Sequence, residues 1–158
     1  MKVGIIVYSQ SGHTATFARA IADHLREAGI DYDIELLRPH GIPKPWTRNI
    51  EFRRTPETDE YDVVLVGSPV WGFNASRVIL KYFCEMKSLK GKKALPFVTH
   101  GLPLKSLGAN RSLCRMSSEL EELCADVLEG ESHHFFFFST NKGKMNEAAK
   151  RIVERIKQ

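Results

Sequence analysis

The stretch that decides the fold is Val3-Gly4-Ile5-Ile6-Val7-Tyr8-Ser9-Gln10-Ser11-Gly12-His13-Thr14. Its first half is a nearly continuous apolar run, rich in β-branched residues, and reads as a strand buried on both faces. Its second half is a polar turn with one glycine. From there to Ala28 the spacing turns helical, with Phe17, Ile21 and Leu25 recurring at four and Gly29 in the usual C-terminal position.

Working outward, the same alternation repeats. A second strand is expected at about Tyr32 to Leu37, a third at Val63-Val64-Leu65-Val66-Gly67, a fourth at Ala94 to Thr99 and a fifth at His133 to Phe138. Helices are expected from about Ser76 to Lys87, from about Ser106 or later to Leu128 with Gly130 as the stop, and from about Lys142 to Lys157. Residues 38–58 carry Pro39, Pro43, Pro45 and Pro56 and read as irregular. An ordered stretch of that length without regular structure is often functional. Strands alternating with helices imply a three-layer, doubly wound α/β fold with a five-stranded parallel sheet, strand order 2-1-3-4-5.

The totals fit one domain over 1–158. The chain has 158 residues, 42% hydrophobic and 27% charged, ordinary values for a globular protein. No apolar run approaches the ~20 residues of a membrane span, and the start is too short for a signal peptide, so a cytoplasmic location is expected. Cys84, Cys114 and Cys124 lack metal spacing and read as reduced, partly buried thiols. The net charge is +4. Basic clusters at Arg53-Arg54, at Lys90 with Lys92-Lys93, and at Arg111 with Arg115 have no interleaved aromatics and read as solvated faces rather than a nucleic-acid footprint.

In a doubly wound sheet, ligands bind beyond the carboxyl ends of the strands at the topological switch. That rule selects the loops 9–14, 68–74 and 99–103. The first offers the hydroxyls of Ser9, Ser11 and Thr14, Gly12, and a helix N-terminus, a combination that favours an anion. Two readings stand: a phosphate cradle, or a plain N-cap by Ser11 or Thr14. A P-loop needs Lys after its last glycine, where His13 stands, and a dinucleotide fingerprint needs three glycines. In the second loop, Trp71 is either a lid over the core or a platform for a planar ligand. Thr99-His100-Gly101 would close the other side. His13 and His100 read as loop residues bonded to solvent or backbone rather than catalytic groups, and no carboxylate pair or nucleophile constellation stands out. His133 and His134, adjacent on a strand, point to opposite faces.

At these three loops the chain resembles the flavodoxin family and related flavodoxin-like FMN oxidoreductases. The stretch Val3 to Thr14 resembles their first strand and phosphate loop. Tyr61-Asp62-Val63 through Gly67-Ser68-Pro69-Val70-Trp71-Gly72 resembles the third strand and first flavin-edge loop, and Lys90 through Thr99-His100-Gly101 the fourth strand and second flavin loop. The resemblance implies noncovalent FMN. Its phosphate would rest on Ser9, Gln10, Ser11, Gly12, His13 and Thr14, and its ring would lie against Pro69, Val70, Trp71 and Gly72, with Thr99, His100 and Gly101 near the other side.

The chain departs from the family in three ways: it is basic where electron-carrying flavodoxins are acidic, its second helix region is replaced by segment 38–58, and its third loop lacks a stacking tyrosine. The leading expectation is an FMN-binding redox protein moving electrons between a donor and an acceptor. The rivals are an NAD(P)H-dependent quinone reductase, in which Arg48, Arg53 and Arg54 would meet the nucleotide phosphate and a homodimer would complete the pocket, and a cofactor-free partner-binding module. In segment 38–58, Trp46 and Phe52 are candidate exposed anchors. Neither nucleic acid nor membrane is an expected partner.

Overall fold

The computed structural model describes residues 1–105, 107–135 and 141–158. The elements run β1 Lys2–Val7, α1 His13–Glu27, β2 Asp31–Leu36, β3 Val63–Trp71, β4 Asn74–Ala75, α2 Arg77–Glu85, β5 Lys93–His100, α3 Ala109–Glu122, β6 Asp126–Val127, β7 Glu131–His134 and α4 Lys142–Lys157. The sheet has the order β2-β1-β3-β5-β6, with β7 also on β5 and β4 on β3. Every pairing is parallel except the β3–β4 hairpin. Counting β6 and β7 as two halves of one strand, this is the doubly wound 2-1-3-4-5 arrangement.

The two-residue period of the strands sorts their side chains into two cores. Val3, Ile5, Val7, Leu65 and Phe97 pack with Phe17 and Ile21 of α1 and Ile152 and Ile156 of α4. Ile6, Val64, Val66 and Val98 face the other way, toward Val78, Ile79 and Tyr82 of α2 and Met116 and Leu120 of α3. Two helices therefore cover each face. Close packing leaves no room for a side chain at Gly4 or Gly67: a Cβ would enter the Tyr61 ring at the first, and Phe97 and Val7 at the second.

Helix ends follow local chemistry. After α1, Gly29 N donates to Arg26 O and Ile30 N to Leu25 O, a Schellman motif. α3 stops at Glu122, six residues short of the expected Leu128. Its stop is Cys124 at φ 65, not Gly130. Cys124 N donates to Glu121 O and Ala125 N to Leu120 O, the same motif on a residue that adopts this conformation less readily than glycine. Gly130 instead lies within the last strand, where a Cβ would stand 2.8 Å from Pro96 O and from Leu113 Cδ2. The expected strand His133 to Phe138 therefore begins earlier, at Asp126, and is broken. β6 pairs Asp126 with Lys93, β7 pairs Glu131 with Phe97, and the extra residue between them is a bulge beside Pro96, which has no N–H to offer. Residues 136–138 of that expectation lie outside the described residues.

Segment 38–58 is ordered but irregular. Pro39 and Phe52 form an antiparallel bridge, His40 N donates to Glu51 O, and Tyr82 Oη donates to Pro56 O. Trp46 is 69% exposed, as expected of an anchor. Phe52 is half-buried, edge-on to the Tyr82 ring, and is not exposed. All three cysteines are free and exposed, where partial burial was expected. Among the described residues, no helix is long and apolar enough to cross a membrane.

Candidate functional site

The chain after β3 differs from expectation in a way that shapes the site. Residues 68–71, read as loop, continue the strand to Trp71, and β4 returns along it with Trp71 opposite Asn74. Gly72 and Phe73 bridge the strands with φ 55 and 64. Two successive positive φ values define a type I′ turn, the form whose twist suits a two-residue hairpin. Gly72 adopts that conformation without steric cost, whereas Phe73, a bulky residue at positive φ, is strained. Its ring is 53% exposed at the hairpin tip.

The first loop is held from two sides. Ser9 Oγ accepts from Ala15 N at 3.1 Å. The Thr14 and Thr99 hydroxyls are 2.8 Å apart and buried, so loops one and three are joined directly. Gly12 is the N-cap of α1 and brings no side chain to it, and the Ser9 hydroxyl takes the third helical N–H in its place. The alternative in which Ser11 or Thr14 caps the helix is therefore not what the fold uses: Ser11 is exposed and Thr14 is turned to Thr99. Gln10 is exposed. A cradle remains in which the first turn of α1, beyond the N–H that Ser9 takes, and the Ser9 and Ser11 hydroxyls stand with no Lys or Arg between 9 and 14, a donor set that fits a phosphate monoester.

Between the hairpin and the third loop lies a cavity of about 180 Å³ lined by Val70, Gly72, Phe73, His100, Gly101, Leu102 and Leu107. Pro69 is paired with Thr99 at its base. The slot is smaller than the ~300 Å³ at which ligand pockets begin. Its lips, Phe73 and Leu102, are exposed and apolar, so a planar ring fits the chemistry of the walls once these lips part. His100 Nδ1 lies 2.6 Å from Leu102 O. A carbonyl only accepts, so Nδ1 carries the proton and donates. Burial pushes the His100 pKa down, leaving a neutral ring.

Trp71 is not on this slot. Val70 and Trp71 are consecutive strand residues and face opposite ways. Trp71 packs edge-on to Tyr8 at 5.4 Å and lines a larger cavity behind the hairpin, together with Arg48 of segment 38–58 and Arg77 of α2. The three loop arginines are likewise split, since Arg53 and Arg54 line a separate depression at β2, where Arg54 pairs with Glu35.

Sequence reasoning missed Phe135 and Phe73. Phe135 stacks on His13 with ring centroids 3.7 Å apart and planes 11° apart, and it lies in contact range of Gly101. It thus sits between loops one and three. The run Phe135 to Phe138 flagged a need for cover but not its target. His133, by contrast, is buried in the core face near Phe17, its Nε2 without a partner and its pKa pushed down to about 4 by burial.

The strand order and the switch-point arrangement are those of the flavodoxin-like fold. Within that class, the family whose model matches is described as flavodoxin, over residues 44–121. The oxidised flavodoxin 1 of Bacillus cereus superposes with a TM-score of 0.72 at 20% identity, covering 100% of this chain and 99% of that one. An NAD(P)H dehydrogenase (quinone) of Acidovorax ebreus strain TPSY is 32% identical over 76 residues, 43% of this chain and 38% of that protein. One from Archaeoglobus fulgidus is 26% identical over 123 residues, 65% of this chain and 63% of that protein. The chain thus spans well under half of the first of these relatives.

Proposed function

We propose that the chain is an FMN-binding redox protein that passes electrons between a donor and an acceptor. The observation that carries the reading is the hydroxyl loop at the α1 N-terminus, where the N-cap residue Gly12 brings no side chain, tied by Thr14 to the strand end that lines the slot. Ser9, Ser11 and the backbone of 12–14 would hold the phosphate by hydrogen bonds and the helix dipole. Val70, Gly72, His100 and Gly101 would flank the ring, with Phe73 and Leu102 excluding water. Gly72 or its neighbour would offer a backbone carbonyl to the ring edge. The flavin, when bound, supplies reversible electron uptake, and the protein supplies geometry and polarity. The test is the spectrum of the purified protein. Yellow protein, or uptake of FMN added at micromolar concentration, is expected, and Ser11→Ala with Thr14→Val should weaken that uptake. A colourless product that takes up none rejects the reading.

A second reading, NAD(P)H-dependent reduction of quinones, is favoured by the names of the curated relatives and by the cationic cavity behind Trp71. It requires rapid bleaching of the bound flavin on mixing with NADH or NADPH. A holoprotein that stays yellow for minutes excludes it.

A further inference from the structure

The cavity behind the β3–β4 hairpin measures about 490 Å³, takes no residue from the phosphate loop and shares Gly72 alone with the lining of the ring slot. Its size falls in the range of small-molecule sites, roughly 300–1,000 Å³. One wall is apolar, made by Ile50, Trp71, Ala75 and Leu80. The rim is cationic and comes from three separate parts of the chain: Arg48 from segment 38–58, Arg77 and Lys81 from α2, and Arg115 from α3. Glu119 is the acid of the lining and is paired with Arg115 at 2.7 Å, and Lys81 has Glu85 at 3.5 Å. Among the described residues, Arg48 and Arg77 have no carboxylate partner within ion-pair distance. Cations converge here with too few anions to answer them, around a flat aromatic wall.

We propose that this cavity is a second ligand site, for an organic polyphosphate whose anionic groups meet Arg48, Arg77 and Arg115 and whose planar base lies toward Trp71. A single carboxylate would not use cations spread over three elements. Guanidinium groups suit phosphate oxygens by their forked donors, and the indole edge and Ile50 suit a base. The site goes beyond the flavin reading: of the three switch-point loops it draws only on the second, through Trp71, Gly72 and Asn74, and its cations Arg48, Arg77 and Arg115 lie outside all three. A nicotinamide dinucleotide and an adenine nucleotide share this chemistry, and the test separates them.

Cys84 gives the readout, because it lines the cavity and is exposed, whereas Cys114 and Cys124 are exposed outside it. The full chain, with no flavin added, is alkylated by N-ethylmaleimide with peptide-resolved mass spectrometry, alone and with inorganic pyrophosphate, ADP or NADPH at about millimolar concentration. Ligand should slow Cys84 by about fivefold or more, leave Cys114 and Cys124 unchanged, and lose effect in high salt, which screens rim charges. Replacing the two unpaired arginines together, Arg48→Gln and Arg77→Gln, should abolish the protection. Protection by NADPH at about tenfold lower concentration than by ADP, or 1.4 kcal/mol, assigns the dinucleotide; equal protection assigns the adenine nucleotide. A Cys84 rate indifferent to all three ligands, or protection that survives in the double variant or falls equally on all three thiols, overturns the site. FMN uptake by the same samples is followed by absorbance. Uptake without Cys84 protection sinks this proposal alone, and protection without uptake sinks the flavin reading alone.

Discussion

Thr14 and Thr99 share a hydrogen bond, Oγ1 to Oγ1 at 2.8 Å, although 85 residues separate them. It crosses from the first turn of α1 to the end of β5 in a buried setting, and it is the side-chain contact through which the phosphate loop senses the third loop. Thr99→Val keeps the volume of the side chain and removes the partner. It is expected to leave the melting temperature within a few degrees of the parent while raising the FMN dissociation constant by about fivefold, since a lost hydrogen bond is worth about 1 kcal/mol. Fluorescence titration of the flavin reads the second quantity and thermal denaturation the first. Unaltered affinity would show that the two loops act independently.

Gly67 of β3 pairs with Val7 of β1 on one side and with Phe97 of β5 on the other. A methyl group there meets Phe97 and Val7 together, and neither can withdraw, because both are fully buried. Gly67→Ala is expected to destabilise the fold by about 2 kcal/mol or more, the usual result of overpacking, measured by urea denaturation.

His133 contributes to the mildly acidic limb of stability, beside His100, whose pKa burial also pushes down. Burial pushes its folded pKa to about 4, from 6.5. Below pH 6.5 the unfolded chain takes up a proton that the folded chain refuses, so stability falls as pH drops from 6.5 toward 4 and the loss is complete below it. His133→Leu, which keeps an apolar contact with Phe17, should flatten the denaturation midpoint over that window. An equally steep dependence in the variant would exclude His133 as its source.

Glu131 acts lower on the scale. Burial opposes its ionisation, but Arg151 grips both carboxylate oxygens at 3.0 and 3.1 Å and Arg155 adds a contact at 3.0 Å. The net effect holds its pKa below 4.5. Its stabilisation is therefore complete above that value and is lost as pH falls through the folded pKa. Glu131→Gln should cost about 2–3 kcal/mol at neutral pH by stranding the arginines over a partly buried site, and should remove the dependence below pH 4.5. Acid titrations of parent and variant followed by circular dichroism provide the comparison.

Phe73 links strain to binding. At φ 64, Phe73→Asn should stabilise the hairpin by up to about 1 kcal/mol, because asparagine tolerates the left-handed region. It should also weaken flavin retention, because the lip of the slot loses its apolar cover. Gains in both quantities would mean that the ring does not enter beside Phe73.

Much of this was legible in the chain itself. The buried runs Val3 to Val7 and Val63 to Val66, the helical stripe from Phe17 to Leu25 and the helix Lys142–Lys157 are local patterns, and local patterns survive folding. What escaped was set by contacts distant in sequence. No neighbour of Gly130 announces that Pro96 will press on it and break the last strand. Cys124 as a helix stop is a choice that glycine usually makes. The side of Trp71 followed from where β3 ends: once the strand runs to residue 71 instead of 67, alternation turns Val70 to the slot and Trp71 away. Arg115 was noticed as half of a basic pair with Arg111, but its company with Arg77 arises only when α2 and α3 pack together.

The interruption between Val127 and Glu131 bears on how this molecule behaves among its own copies. An outermost strand with a kink in its ladder offers no straight row of donors and acceptors for a stranger to zip onto. The opposite margin, β2, carries Asp31, Asp33 and Glu35 along its length. A sheet with a bend at one border and a row of charged side chains at the other, two of them held in ion pairs with Lys2 and Arg54, presents poor templates for edge-to-edge pairing, even though its interior strands are strongly hydrophobic.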